Sequence, residues 1–196
     1  MSGARFGLLL AGGRSVRMGR DKAFLPWRGK PLWLWQAELL RAAGIRRWVV
    51  SCRREQGLAE EVMDWSQLNG MHGEVVFDPE GEKGGMLEAV TLGLGQVAGR
   101  ALVVSVDMPQ VTAELVERLW GAVEAFDGGA LFVGGRGPEP FPGIYVPQML
   151  SEDGNGGALK AALAQCIATG TARGLQLASE FESCLANWNH PEDVID

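Results

Sequence analysis

Glycine and positive charge meet early in this chain. Gly12 and Gly13 follow an apolar run, residues 6–11, and lead into a stretch that carries Arg14, Arg17, Arg20, Lys22, Arg28 and Lys30. Glycine reaches backbone angles closed to other residues and lets main-chain N–H groups approach a ligand, while guanidinium and ammonium groups supply charge. Between Arg14 and Lys30 six basic residues face one acid, Asp21, giving +5 in a chain of formal net charge −6, so the remainder carries −11. So local a reversal of sign focuses anions onto the loop. It suits a small polyphosphate; the alternative is a solvated basic loop between a strand and a helix.

A carboxylate marks a second place. Residues 101–106 form a continuous apolar run that ends in Asp107-Met108-Pro109. Read as a buried parallel strand, the run puts Asp107 at the mouth where doubly wound sheets hold ligands. Mg²⁺ takes one or two carboxylates together with phosphate oxygens and water, so a single Asp107 suffices for a metal position. Otherwise Asp107 is a turn residue before the helix that starts near Thr112. Other chemistries are poorly supplied: His72 and His190 are the only histidines, and Cys52, Cys166 and Cys184 are far apart with no C-x-x-C pair. That argues against a Ser-His-Asp triad, a zinc site and a disulfide framework. The P-loop and Gly-x-Gly-x-x-Gly patterns are absent as well.

The elements that must place these groups alternate in type. Strands are predicted at 6–11, 48–52, 74–77, 101–106, 130–133 and 144–146, and the third of them ends in Asp78-Pro79. Helical spacing runs through Leu32, Trp35 and Leu39, with Pro31 in the first turn and Gly44 closing it. It recurs through Leu58, Val62 and Trp65, through Met86, Leu87, Val90 and Leu94, and over 113–126 and 158–168. Trp33 and Trp35 are assigned to the core rather than to ligand stacking. Residues 134–143, rich in Gly and Pro, are predicted to lie outside regular structure and to be able to cover a substrate. Asn189, with Glu192 three residues on, reads as a capping-box start for a terminal helix.

This alternation predicts an α/β fold, a Rossmann-like doubly wound and largely parallel sheet with helices on both faces, in a single domain over 1–196. Hydrophobic residues make up 46% of the 196 and are interspersed with charge, as in a soluble globular chain. With a pI near 5.0 and no basic face beyond the loop, neither nucleic acid nor membrane is expected as a partner. No signal-peptide pattern opens the chain, and the cysteine usage fits a reducing cytoplasm.

The ordered run of LAGG, R-M-G, D-K and L-P-W-x-G-K-P-L between Leu8 and Leu32 resembles the nucleotide-binding loop of the molybdenum cofactor guanylyltransferase (MobA-like) family of nucleotidyltransferases. The resemblance is also dense at 78–90, 103–109 and 187–193. It implies transfer of GMP from Mg-GTP to the terminal phosphate of molybdopterin or Mo-molybdopterin, with Mg²⁺ as cofactor and other molybdenum cofactor biosynthesis proteins as further partners. It places Leu10, Ala11 and Gly12 along the nucleotide, Gly13 and Arg17 near the phosphates, and Lys22 on the triphosphate. Asp21 then either orients Lys22 or turns the loop. Asp107 becomes the magnesium ligand of a D-x-P turn, and Asp78 the reader of the purine, since a carboxylate can accept from both the ring N–H and the exocyclic amine of guanine.

The same resemblance brings Gly85, before Met86-Leu87, and the closing Asn187 and Asn189 to the active site. Two departures stand out. Ser51 occupies a position where the family often has asparagine, and Glu82-Lys83 replaces a proline-leucine pair. Both lie near the expected base or triphosphate, so nucleotidyl transfer is the firmer implication and guanine preference the weaker. Cytidylyl transfer, nucleotidyl transfer to a sugar phosphate, and a non-catalytic nucleotide-binding protein remain the alternatives, and the presence of Lys22 and Asp107 speaks against the last.

Overall fold

The computed structural model describes residues 4–13, 20–78, 85–150, 159–189 and 193. In chain order its first half comprises β1 (Arg5–Leu10), a short hairpin of β2 (Pro26–Trp27) and β3 (Lys30–Pro31), α1 (Leu32–Ala42), β4 (Arg47–Cys52), α2 (Leu58–Leu68) and β5 (His72–Phe77). There follow α3 (Met86–Leu94), β6 (Arg100–Ser105), α4 (Ala113–Ala122), β7 (Gly129–Gly134), β8 (Gly137–Tyr145), α5 (Leu159–Ala168) and β9 (Ala172–Gln176). Seven strands form one sheet in the order β5-β4-β1-β6-β8-β7-β9. Only β8 runs against its neighbours; the pairs β5·β4, β4·β1, β1·β6 and β7·β9 are parallel.

β1 lies at the centre of the parallel half and is apolar almost throughout because both of its faces are covered. Consecutive strand residues face opposite sides of a sheet. A Cβ at Gly7 would sit 3.0 Å from Leu40 of α1, whereas a Cβ at Gly93 of α3 would sit 2.5 Å from Leu8. The two helices therefore press on opposite faces of one strand, and each close approach depends on a glycine. The buried indole of Trp48 is paired: its Nε1 donates to Ser66 Oγ at 3.0 Å, and Ser66 Oγ donates to the Val62 carbonyl at 2.6 Å. Trp33 is buried edge-on to Trp65, and the half-buried Trp35 packs at 4.8 Å on Trp27 while donating to its carbonyl, so both serve packing.

The expectation for residues 134–143 is overturned. The glycines make a tight turn, with Gly137 at φ +92°, and the chain returns as β8. Pro138 is tolerated because its stretch pairs with β7 alone, and Pro140 and Pro142 fall where the register with β7 shifts between Glu139 and Gly143; both-sided pairing to β6 and β7 falls on Gly143 and Ile144. At Gly143 any Cβ would meet Leu131 at 2.7 Å and Tyr145 at 2.8 Å. The segment is thus part of the sheet and not an irregular loop. β9 has no counterpart among the predicted strands, since Arg173 and Gly174 interrupt its apolar pattern. α4 stops at Ala122 instead of reaching residue 126, and Pro31 precedes the first turn of α1 as its N-cap residue. Among the described residues no helix is long and apolar enough to cross a membrane.

The packing of α3 on β1 yields a cycle of variants. Leu8→Ala should cost about 2–5 kcal/mol through the cavity it leaves, and Gly93→Ala should destabilise the native background by collision with Leu8. In the Leu8→Ala background Gly93→Ala should recover part of the loss, with a coupling of roughly 1–3 kcal/mol. Urea unfolding of the four proteins measures it, and strict additivity would show that Gly93 is not there to admit Leu8.

Candidate active site

The parallel ladder continues past the end of β1 on both sides. Ala11 N–H donates to the Ser51 carbonyl at 2.8 Å, and Val106 N–H donates to the Leu10 carbonyl at 3.0 Å. Further out, Asp78 N–H donates to the Cys52 carbonyl at 2.9 Å. Four strands therefore release their loops at one edge of the sheet: Gly12 and Gly13 from β1, Arg53 from β4, Asp78 from β5 and Asp107 from β6. Ligands of open α/β sheets bind outside this carboxyl edge.

The polar contacts there fall into three groups. In the first, Lys22 Nζ lies 3.1 Å from Asp107 Oδ2 and 2.9 Å from Asn189 Oδ1, with Lys22 and Asp107 both largely buried. Ser105 Oγ donates to the other carboxylate oxygen of Asp107 at 2.6 Å, and the Trp188 N–H donates to the Asp107 carbonyl at 2.8 Å. In the second, Ser51 Oγ donates to Asp78 Oδ1, and a Cβ at Gly12 would overlap the Asp78 carboxylate. Ser51 is buried, so its hydroxyl reaches Asp78 and is not presented at the surface. Gly12 is required because the carboxylate lies directly against its Cα.

The third group joins β4 to the first loop. Arg53 Nη1 donates to the carbonyls of Gly12 at 2.7 Å and Gly13 at 2.6 Å, and Nη2 donates to Asp21 Oδ2 at 2.7 Å. Gln56 Nε2 donates to the Ala11 carbonyl and to Asp21 Oδ1, each at 2.9 Å. Asp21 also caps the short 3₁₀ turn Lys22–Phe24 by accepting from Ala23 N–H at 3.0 Å. Of the two roles open to it, Asp21 fills that of turning the loop, and it thereby sets the base of the Lys22 side chain.

The predicted residues are distributed as follows. Lys22, Asp107 and Asn189 meet. Leu10 and Ala11 are buried at the end of β1, Gly12 lies under Asp78, and Gly13 is exposed. Gly85 is the N-cap residue of α3. Asn187 is exposed and its carbonyl accepts from Asn189 Nδ2 at 3.4 Å. Asn189 N–H donates to Asp193 Oδ2 at 2.6 Å, while the terminal helix expected after Asn189 lies outside the described residues. Arg17, Glu192 and the Glu82-Lys83 departure fall outside the described residues. The basic run does not converge as a whole: Arg28 stacks 4.7 Å over Trp27, and Lys30 pairs with Glu38 at 2.8 Å beside Trp35. Arg53, Gln56 and Ser105 escaped the reading of the sequence. A cation directly after the apolar β4 was the available signal for Arg53, since parallel neighbours end at the same edge.

Residues 7–176 match the family model of the MobA-like NTP transferase domain, a span that closes with the end of β9 and leaves Asn187 and Asn189 beyond it. A molybdenum cofactor guanylyltransferase from Pseudomonas putida (strain F1) is 31% identical over 193 residues, covering 96% of this chain and 95% of that protein. Another, from Xanthomonas euvesicatoria, is 39% identical over 115 residues, 58% of this chain and 52% of that protein. Among solved structures, a nucleotidyl transferase from Methanothermobacter thermautotroptrophicus superimposes with a TM-score of 0.72 at 21% identity, over 98% of this chain and 94% of that one. The last similarity carries the Rossmann-like fold.

Beneath the site the Cys52 thiol is pushed up to about 11, first by burial and then by the Asp78 carboxylate; burial also raises Cys166. Both thiols are buried, whereas Cys184 is partly exposed. Brief alkylation of the native protein at pH 8 should therefore modify Cys184 and spare Cys52 and Cys166, which react after unfolding; peptide mass spectrometry reads the difference. A raised thiol stabilises the fold below its ordinary value near 9, and that contribution is lost as pH climbs through about 11. Cys52→Ala should accordingly unfold with a shallower alkaline loss of stability than the native protein.

Proposed function

Because this chain belongs to the MobA-like NTP transferase family, we propose that it transfers GMP from GTP to the terminal phosphate of molybdopterin or Mo-molybdopterin, with Mg²⁺ as its metal. The observation that carries the reading is the meeting of Lys22, Asp107 and Asn189 at the sheet edge where Gly12 lies against Asp78. In the reaction a terminal phosphate oxygen of the acceptor forms a bond to the α-phosphorus of GTP. The bond from that phosphorus to the oxygen bridging to the β-phosphate breaks, and pyrophosphate leaves with the electron pair. The attacking oxygen is already anionic, so no protein base is needed; positioning and charge neutralisation supply the rate.

Each residue then has a part. Lys22 moves its ammonium from Asp107 onto the triphosphate, where negative charge builds on the leaving group. Arg17 grips phosphate oxygens in the bidentate manner of a guanidinium. Asp78, held by Ser51, accepts from the ring N–H and exocyclic amine of guanine, and Gly12 leaves room for that carboxylate. The donor set fits a hard cation: Asp107 Oδ2 and Asn189 Oδ1 already converge on one positive charge, that of Lys22 Nζ, at 3.1 and 2.9 Å. No described group of three or more His, Cys, Asp or Glu residues surrounds it, so phosphate oxygens and water would complete the shell. When bound on Asp107, Mg²⁺ supplies neutralisation of phosphate charge. The described cysteines are all unpaired, which fits work in the cytoplasm.

Pyrophosphate release from the four ribonucleoside triphosphates, with and without molybdopterin, tests the proposal. GTP should be used, and only with the acceptor. Preference for CTP would make the protein a cytidylyltransferase, turnover with a sugar phosphate would change the acceptor class, and nucleotide binding with no release under any condition would leave a binding protein. Lys22→Ala should lower kcat by roughly 10²–10³ at saturating GTP and metal, and an unchanged kcat would remove Lys22 from the chemistry.

A further inference from the structure

We infer that Arg53 is the positioning residue of the nucleotide loop: it fixes the direction of the Gly12 and Gly13 peptides and their distance from Lys22. The inference rests on the reading that this loop binds the triphosphate. Arg53 is a cation at a phosphate site, yet its donors point elsewhere. Nη1 serves the Gly12 and Gly13 carbonyls, Nη2 serves Asp21, and Nε donates to Glu55 Oε1 at 3.1 Å. Two carboxylates therefore neutralise it. Its side chain is only 20% exposed, as is that of Asp21, so this is a fixed ion pair and not a mobile surface arm.

The geometry has a directional consequence. In a trans peptide the C=O and the following N–H point in opposite directions. Gln56 holds the Ala11 carbonyl and Arg53 holds that of Gly12, so the N–H groups of Gly12 and Gly13 are directed away from β4. Three successive carbonyls, those of residues 11, 12 and 13, are gathered on one side by two side chains of a single turn. That turn is itself braced, since Arg53 N–H donates to Gln56 Oε1 at 3.1 Å. The same guanidinium also grips Asp21, whose carboxylate caps the turn bearing Lys22. One planar group thus spans the glycine corner and the base of the catalytic lysine, fixing the interval between N–H donors and ammonium. Lysine at position 53 could reach one of these acceptors as a point charge but could not bridge all of them.

Removal of the guanidinium should leave the loop to be ordered by the nucleotide at the moment of binding, and that cost raises Kd and KM together. For Arg53→Ala, titration calorimetry with GTP and magnesium in the absence of acceptor should show Kd raised by roughly 10–100-fold, with the kinetic loss in KM rather than kcat. Guanidinium at a few millimolar should restore much of the affinity of Arg53→Ala and leave the native protein unaffected. Arg53→Lys should recover little. Arg53→Ala that stays folded, with native Kd for GTP, would overturn the inference while the nucleotide reading stands. Native protein that binds none of the four triphosphates would overturn both. If Arg53→Ala fails to fold, Arg53→Lys carries the test: a Kd raised severalfold or more supports positioning, and native affinity refutes it.

Discussion

The carboxyl end of β1 is pinned from both sides by backbone hydrogen bonds that run one step beyond the strand, from Ala11 to Ser51 and from Val106 to Leu10. Everything at the candidate site depends on this constraint. A glycine corner, a cation, a carboxylate cap and a second aspartate come from segments separated by up to 95 residues of chain, between Gly12 and Asp107. Parallel pairing with β4 and β6 makes their loops leave the sheet at one edge, so small side chains suffice to join them. In an antiparallel sheet the same loops would alternate between opposite edges.

Among the described residues, charge at and around this edge is organised in pairs. Lys22 faces Asp107, Arg53 faces Asp21, and Lys30 faces Glu38. The pairs differ in what they can do. In the proposed function a phosphate would replace Asp107 as the partner of Lys22, and a divalent cation would replace Lys22 as the partner of Asp107. Arg53 has its donors on main-chain carbonyls and carboxylates behind the loop, where it orders the backbone. Arg28 and Lys30 cover indole faces of the β2–β3 hairpin and α1.

Aromatic packing extends the site to the far end of the chain. Trp188 is buried edge-on to Trp27 at 5.3 Å, and Trp27 packs on Trp35. Trp188 N–H also reaches the Asp107 carbonyl, so its neighbour Asn189 is delivered to Lys22 by an apolar anchor lying beyond the last strand of the sheet. A large buried ring is a dependable anchor for an exposed polar neighbour because its burial is worth several times one hydrogen bond.

Local pattern determined much of this protein. Apolar runs identified β1, β4, β5 and β6, and the residues just past three of them, Gly12, Asp78 and Asp107, are chemically sufficient to nominate a phosphate and metal edge. Lys22 was legible because it belongs to a stretch in which six basic residues face one acid, a local reversal of sign in an acidic chain. The tertiary structure decided what spacing cannot encode. Whether residues 134–143 form a strand depended on a neighbour, β7, that accepts a proline-rich partner on one side only. Ser51 and Arg53 look alike as polar residues at the end of β4, yet one faces Asp78 and the other reaches across to Gly12, Gly13 and Asp21. Their roles follow from sheet order, since β4 lies between β5 and β1, and the two contacts join segments 27 and 41 residues apart.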